Sequence, residues 1–281
     1  MPMQKDEHPA VSVAMGVRYQ RESIEPLKRS IESVLNQTYR DFQLLICDDG
    51  STSAAMRFLD ETCQRDDRIR LVRPGGKLDL ASKLNVCLRE ARGRYIARMD
   101  DDDYSHPDRF EKQICVLETE RDIGFVGCCV NLAREGAIVG ARKLSEYPEV
   151  RDFYFTAPFV HPALMFRREA LERVGGYCEE AYCNLCEDYD LLLRLYAHDF
   201  KGKNLQERLL DYTLPPAGRK NRTLRDRWHE AQTRSRRFRE LGVMHEAWPY
   251  VVKPIAVALL PQQVIEWFRR LQNSFGWTNG C

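Results

Sequence analysis

The chain reads as an α/β protein: a mostly parallel sheet flanked by helices, with a C-terminal helical extension. Three observations predict this. Short apolar runs alternate with helical periodicity through the N-terminal part of the chain. Two acidic turns, Asp48-Asp49 and Asp100 to Asp103, come directly after apolar runs. Beyond Pro215-Pro216 only helix-like patterns remain. Strands that alternate with helices pair in parallel, because each crossover needs a helix-length connection that covers the sheet.

The elements follow in order. Val11 to Val17 is a short apolar run, and Ile24, Leu27, Ile31, Val34 and Leu35 then share one helical face. Phe42 to Cys47 is the next strand and stops at Asp48-Asp49-Gly50-Ser51, a turn composition. Met56, Leu59 and Cys63 keep helical spacing, and Ile69 to Val72 is a third strand. Leu80, Leu84, Cys87, Leu88 and Ala91 form a further amphipathic helix before the strand that carries the second acidic cluster. A helix through Phe110, Ile114 and Leu117 leads to the apolar run Phe125 to Val130, and an irregular region extends through Pro158 and Pro162. Gly175-Gly176 marks a turn before a Cys-rich loop and a helix that begins near Glu187. Pro215-Pro216 and Gly218 separate a domain over residues 1–215 from a helical region over 216–281, with helices expected at about 223–241 and 248–271. Pro254 and Pro261 should break the latter into shorter pieces.

With 43% hydrophobic and 30% charged residues, the chain has enough apolar material for a core. A net charge of +1 gives no global reason to expect nucleic acid, although bases outnumber acids from Lys201 to Arg239. Ten cysteines without a secretory leader point to free thiols in a reducing, cytosolic compartment. No apolar stretch is long enough to span a bilayer. Cys178, Cys183 and Cys186 lack paired zinc spacing and an obvious fourth ligand, so free thiols are expected there too.

Four adjacent carboxylates at Asp100 to Asp103 repel one another unless a cation sits among them. An oxygen-only donor set suits Mg²⁺ or Mn²⁺, ions that usually hold substrate phosphates. An acidic surface loop is the plain alternative. Ligands of parallel sheets bind beyond the carboxyl ends of the strands, where both acidic clusters lie, and this favours the ligand reading.

Val-Ser-Val-Ala-Met near the start, Ser-Ile-Glu-Ser-Val-Leu-Asn-Gln-Thr-Tyr at 30–39 and Asp-Asp-Gly-Ser-Thr at 48–52 resemble the family 2 glycosyltransferases of GT-A fold. So do Ala-Arg-Met-Asp-Asp-Asp-Asp at 97–103, Pro-Asp-Arg-Phe at 107–110 and Glu-Asp-Tyr-Asp-Leu at 187–191. The motifs occur in the family's order from about Val11 to Leu195. The resemblance implies inverting transfer of a hexosyl or N-acetylhexosaminyl group from a nucleotide-diphosphate donor, a UDP-sugar first, to a hydroxyl. The acceptor would be a glycan or lipid-linked, as in bacterial surface-polysaccharide synthesis. It also implies a nucleotide-binding half over about 9–110 and an acceptor half over about 111–215.

Residue by residue, the resemblance implies that Asp102 binds Mn²⁺ or Mg²⁺ and that Asp100 lies near the ribose or the ion, with Asp101 beside the nucleotide. Asp49 matches the position that contacts the base or ribose, and a carboxylate can accept from a ring N–H or hydroxyl. Asp48 shares this role or caps the turn. Gly16 and Arg18 fall where the family lines the base pocket, although Arg18 departs from the usual residue type. Asn85 would position the nucleotide or order a loop. Lys77 and Asp79 replace the family's asparagine and glycine, so that loop is expected to be reshaped. Asp188 is the candidate base and Glu187 its support, although both could instead serve the helix dipole. Asp190 is expected to be structural. His161 could approach the diphosphate or the metal.

The tail from Trp248 mixes apolar, aromatic and basic residues, which suits a membrane interface. Packing on the catalytic domain or against a second subunit explains it equally well. Two competing readings of the whole remain: a sugar-phosphate nucleotidyltransferase, against which Met15 to Glu22 lacks a triphosphate loop, and a non-catalytic nucleotide- or glycan-binding module, against which the Glu187-Asp188 pair stands.

Overall fold

A computed structural model describes residues 8–215 and 222–259. Strand β1 (Val11–Val17) is buried along its whole length, as a strand covered on both faces must be. It pairs in parallel with β2 (Phe42–Asp48) on one side and β4 (Tyr95–Arg98) on the other, and β3 (Ile69–Val72) continues parallel outside β2. Helices α1 (Glu25–Leu35), α2 (Ser53–Arg65) and α3 (Leu80–Glu90) make the crossovers.

The two faces of β1 differ in size. Val11, Val13, Met15 and Val17 join a core with Leu27, Ile31 and Val34 of α1. Burying each such side chain contributes about 1.5–3 kcal/mol. The opposite face presents Ser12, Ala14 and Gly16, small residues that let α3 lie close. A Cβ on Gly16 would meet Leu80 Cδ1 at 3.1 Å and Lys83 Cβ at 3.2 Å. At the start of the same face Gly93 packs against the main chain, and an added Cβ would lie 2.5 Å from Ser12 N.

The second half of the sheet is mixed. After the two-residue β5 (Tyr104–Ser105) and α4 (Arg109–Thr119) comes β6 (Ile123–Arg134), with β7 (Ala137–Arg142) as its hairpin partner. Strand β8 (Met165–Arg167) runs antiparallel between β4 and β6. Strand β9 (Lys201–Thr213) lies parallel to β6 and antiparallel to β5, completing the order β3-β2-β1-β4-β8-β6-β9-β5. Helices α5 (Arg168–Arg173) and α6 (Glu187–Ala197) sit between β8 and β9 in the chain, and α7 (Leu224–Glu240) and α8 (Met244–Leu259) follow.

Three expectations change here. The region through Pro158 and Pro162 read as irregular, but it leads into β8 through a 3₁₀ turn at His161–Ala163. The basic stretch from Lys201 contains a 13-residue strand whose polar residues hide the pattern, because three bulges interrupt its register with β6. Pro254 does not break the last helix, which passes through Pro249 and Pro254 to Leu259. Proline removes one N–H each time, and here α8 is held by its packing along α7, with Ala247 and Pro254 buried. The boundary expected after residue 215, Pro261 and the rest of the tail lie outside the described residues.

Gly93→Ala should overpack a site bounded by main chain that cannot rotate away, costing about 1–3 kcal/mol. Urea unfolding would measure this as a lower midpoint with an unchanged slope.

Candidate active site

Both acidic clusters end strands on the same edge of the sheet. Asp48 and Asp49 terminate β2, and Asp100 to Asp103 follow β4. The second loop is clamped on both sides. Ser30 Oγ donates to Asp100 O at 2.6 Å, Thr213 Oγ1 donates to Asp102 O at 2.5 Å, and Thr213 N donates to Asp103 Oδ1 at 2.7 Å. The chain then enters β5, which pairs with β9. Asp103 is thereby an anchor for β9, while Asp100, Asp101 and Asp102 remain partly accessible.

Arg98, one residue before Met99, was not singled out from the sequence. It is fully buried, its Nη1 is 2.5 Å from Asp100 Oδ1, and its Nε has no partner among the described residues. Burial opposes its charge, but Asp100, Tyr177 and Asp103 hold it protonated. A charged residue within the apolar run Tyr95 to Met99 was the available signal. Arg21, on the loop after β1, meets the other end of the cluster, with Nη2 2.5 Å from Asp102 Oδ2.

Two arginines do not neutralise four carboxylates. Burial, followed by Asp100 and Asp102, pushes Asp101 up to about 7. Burial and Asp100 also raise Asp102 against the pull of Arg21, and Asp103 rises for the same two leading reasons.

Asp49 is fully enclosed. Its carboxylate takes the Lys83 ammonium at 3.1 Å and Leu78 N at 2.8 Å, with Arg18 Nη1 3.7 Å away. A base or ribose contact at Asp49 would have to share these donors. Lys83 lies on the buried face of α3, three residues after Leu80, and that register was its only sequence signal. Asp48 takes the capping role: its Oδ1 accepts from Gly50 N, Ser51 N and Ser51 Oγ. Asp79 does not adopt a left-handed backbone; it is the N-cap of α3, extended at φ −76°, and accepts from Ser82 N at 2.8 Å. The reshaping expected at this position takes the form of a side chain that satisfies a helix terminus.

Across the cleft, α6 opens with Glu187 and Asp188, both half-buried. Burial, then Asp188, raises Glu187 to about 7, and burial raises Asp188 despite a 2.7 Å bond from Tyr189 N. Arg98, which pairs directly with Asp100, also weakly favours the charged form of both acids, so its charge reaches the two acidic groups. Tyr212 feels the same pair of clusters from β9. Asp190 is structural, as expected, held by Arg194 Nε at 2.7 Å and Arg237 Nε at 2.6 Å.

His161 is buried, with Nε2 2.8 Å from the Tyr177 hydroxyl. Burial and then Arg98 hold its pKa well below the usual range, so the ring is neutral. Asn85 orders the loop: Nδ2 donates to Tyr177 O at 2.8 Å, and Oδ1 accepts from Tyr177 N at 2.9 Å. Of the two roles left open for Asn85, this geometry displays the second.

The raised acids carry a sign for stability. A folded-state pKa above the unfolded value means the native state binds the extra proton, so stability falls as pH rises between the two values. For Asp101 that window runs from 3.8 to about 7. The melting temperature of the metal-free protein should therefore drop between about pH 4 and 7, and Asp101→Asn should flatten the slope, as read by scanning calorimetry at several pH values.

The description "Glycosyl transferase family 2" fits residues 18–175 of this chain. EpsE of Bacillus subtilis (strain 168), assigned to the glycosyltransferases, is 35% identical over 93% of this chain and 94% of its own length. The Escherichia coli O-antigen biosynthesis glycosyltransferase WbnJ is 34% identical over 66% of this chain and 73% of its own. Among solved structures, Staphylococcus aureus TarS 1–349 with UDP-GlcNAc superposes with a TM-score of 0.68 at 14% identity, covering 94% of this chain and 80% of that one. The mannosyltransferase PcManGT of Pyrobaculum calidifontis, with GDP-Man and Mn²⁺, gives a TM-score of 0.64 at 18% identity over 94% and 81%. These two likenesses establish the GT-A fold. With a family match across more than half its length and a relative of similar extent, this chain belongs to glycosyl transferase family 2 and is a transferase related to enzymes of polysaccharide biosynthesis.

Proposed function

We propose that this enzyme moves a sugar from a nucleotide-diphosphate donor, a UDP-sugar, onto a hydroxyl of a glycan or lipid-linked acceptor, with inversion and with a divalent ion. The observation that carries the reading is the all-oxygen aspartate loop at the end of β4, clamped by Ser30 and Thr213 and paired through Asp100 with the buried Arg98. Residues of about 9–110 would bind the nucleotide and those of about 111–215 the acceptor, with α7 and α8 following.

The aspartate loop fits a hard cation on its own chemistry. Its donors are all carboxylate oxygens, and burial first, then the neighbouring carboxylates, raise Asp101, Asp102 and Asp103, a cost that a bound cation would relieve. Asp102 and Asp100 would hold Mn²⁺ or Mg²⁺, with Asp101 beside the nucleotide. When bound, the ion supplies positive charge to the departing diphosphate.

The remaining work falls to side chains. Asp100 is oriented by its ion pair with Arg98. Asp188 takes the proton of the acceptor hydroxyl as it attacks, and its burial brings its pKa towards the working pH. Glu187 supports it, and Arg222 favours the charged form of both acids. His161 stays neutral and fixes Tyr177 by its hydrogen bond. Gly16 and Arg18 flank the base pocket, with Lys83 and Leu78 N holding Asp49 in it.

The two solved structures support the donor class, since one holds UDP-GlcNAc and the other GDP-Man with Mn²⁺. The match of Asp49 to the family's base-contact position favours UDP. Among the described residues no helix is long and apolar enough to cross a membrane. Exposed Trp228, Trp248 and Val252 on α7 and α8, beside Arg236 and Arg239, suit peripheral contact with a membrane that carries a lipid-linked acceptor.

Asp102→Ala and Asp188→Ala should each lower transfer by about two to four orders of magnitude. Only Asp102→Ala should weaken UDP binding in the presence of Mn²⁺, and calorimetric titration separates the two; undiminished affinity in that variant would remove the metal assignment. Arg21→Ala should tighten Mn²⁺ binding to the donor-free protein severalfold, because the guanidinium and the ion compete for Asp102. Manganese paramagnetic resonance on free and bound ion provides that measurement.

A further inference from the structure

Cys178 and Cys183 bracket the loop that leads into α6. Their sulfurs lie 2.7 Å apart, with the buried Cys183 thiol donating to Cys178. Among the described residues no other pair of sulfurs is hydrogen-bonded. The Tyr182 oxygen stands 3.7 Å from Cys178 Sγ. Cys178 itself is partly accessible.

The pair divides the tasks of a dithiol. The hydrogen bond from Cys183, which outweighs burial, draws Cys178 down to about 6, so this sulfur is a thiolate near neutral pH. Cys183 is raised by the same bond and keeps its proton. Burial pushes Cys47, Cys87, Cys128 and Cys186 the other way, up to about 11 or 12. An accessible thiolate with a neighbouring sulfur in reach is the arrangement that oxidises reversibly, because the neighbour can displace the first oxidation product.

The Asp190 carboxylate also lies within 4.8 Å of both sulfurs, which raises the question of a metal. Each of its oxygens already holds an arginine, Arg194 on Oδ2 and Arg237 on Oδ1. Coordination would strip a buried charge pair, at a cost of several kcal/mol. Two sulfurs alone do not complete a tetrahedral site.

We propose that Cys178 and Cys183 form a redox modification site, at which a hydroperoxide converts the two thiols into an intramolecular disulfide. The Cys178 thiolate attacks one peroxide oxygen, the O–O bond breaks, and hydroxide leaves with Cys178 as the sulfenic acid. Cys183 sulfur then attacks Cys178 sulfur, the S–O bond breaks, and the departing hydroxide takes the Cys183 proton. Two thiols and one hydrogen peroxide give one disulfide and two waters; sulfur is oxidised and peroxide reduced. A small-molecule thiol reverses the bond by exchange.

The site has structural leverage. Glu179 in this loop accepts from Asn85 Nδ2 at 2.6 Å, Tyr182 O accepts from Thr233 Oγ1 at 2.8 Å, and Arg236 stacks over the Tyr182 ring at 3.9 Å. The disulfide would close a ring in a segment already tied to α3 and α7, upstream of Glu187 and Asp188.

The test treats the reduced full-length protein with one equivalent of hydrogen peroxide. Intact mass should fall by two hydrogens, the titratable thiol count should drop by two of the ten, and peptide mapping should find Cys178 joined to Cys183. In Cys183→Ser the intermediate persists, and dimedone should label Cys178. A gain of oxygen without loss of hydrogen, first oxidation at the exposed Cys115, or stoichiometric Zn²⁺ that shields both sulfurs would each overturn the proposal. The wild-type mass measurement does not depend on how the variants fold, nor on the sugar-transfer reading.

Discussion

A single buried cation organises the functional end of this fold. Arg98 sits inside the sheet, where an unpaired guanidinium would be expensive. Its charge is retained against burial by the carboxylates of the aspartate loop, Asp100 directly and Asp103 through the field. The same field keeps His161 neutral and confines it to a hydrogen bond with Tyr177. Remove that charge and Asp100 loses its ion-pair partner, leaving Arg21 on Asp102 as the remaining direct cation of the aspartate loop among the described residues.

Holding so many carboxylates together also requires a rigid frame. The aspartate loop is fastened by main-chain and hydroxyl bonds to α1 and β9. On β9, Asp211 ties back to His106 at 2.8 Å and to Asn131 at 2.8 Å, so the strand that grips the loop is itself gripped. The loop before α6 is read in both directions by Asn85, an amide on α3. Acids therefore keep positions that their own electrostatics would spread apart, and burial together with that repulsion raises their pKa values.

Much of this was legible in the chain. The first four strands and three helices follow apolar runs and periodic faces, because parallel strands buried on both sides leave an unbroken apolar signature. The places of Asp48-Asp49, Asp100 to Asp103 and Glu187-Asp188 were equally plain, the first two after apolar strands and the third at a helix start, although Asp48 and Asp103 proved to serve a turn and a strand. Strand β9 was hidden because its bulges and polar residues break the two-residue alternation. The partners of the acids were hidden for another reason. Lys83 and Arg98 look like ordinary charges until the fold shows that one lies under Asp49 and the other under Asp100. Asp79 looked like a damaged glycine position until its carboxylate was seen to cap α3.

Local sequence by itself determined the kind of protein this is: alternating elements, carboxylates at strand ends, and motifs whose order belongs to one family. Those features survive in one dimension because periodicity and spacing are properties of neighbouring residues. Tertiary structure alone decided which acid faces which cation, which aspartate caps a turn and which anchors a strand. It also decided that Cys178 meets Cys183 rather than Cys186. Charge pairing and sulfur contact depend on distances of a few ångströms between residues far apart in the chain, or turned towards each other within a loop. Only the closed fold sets those distances.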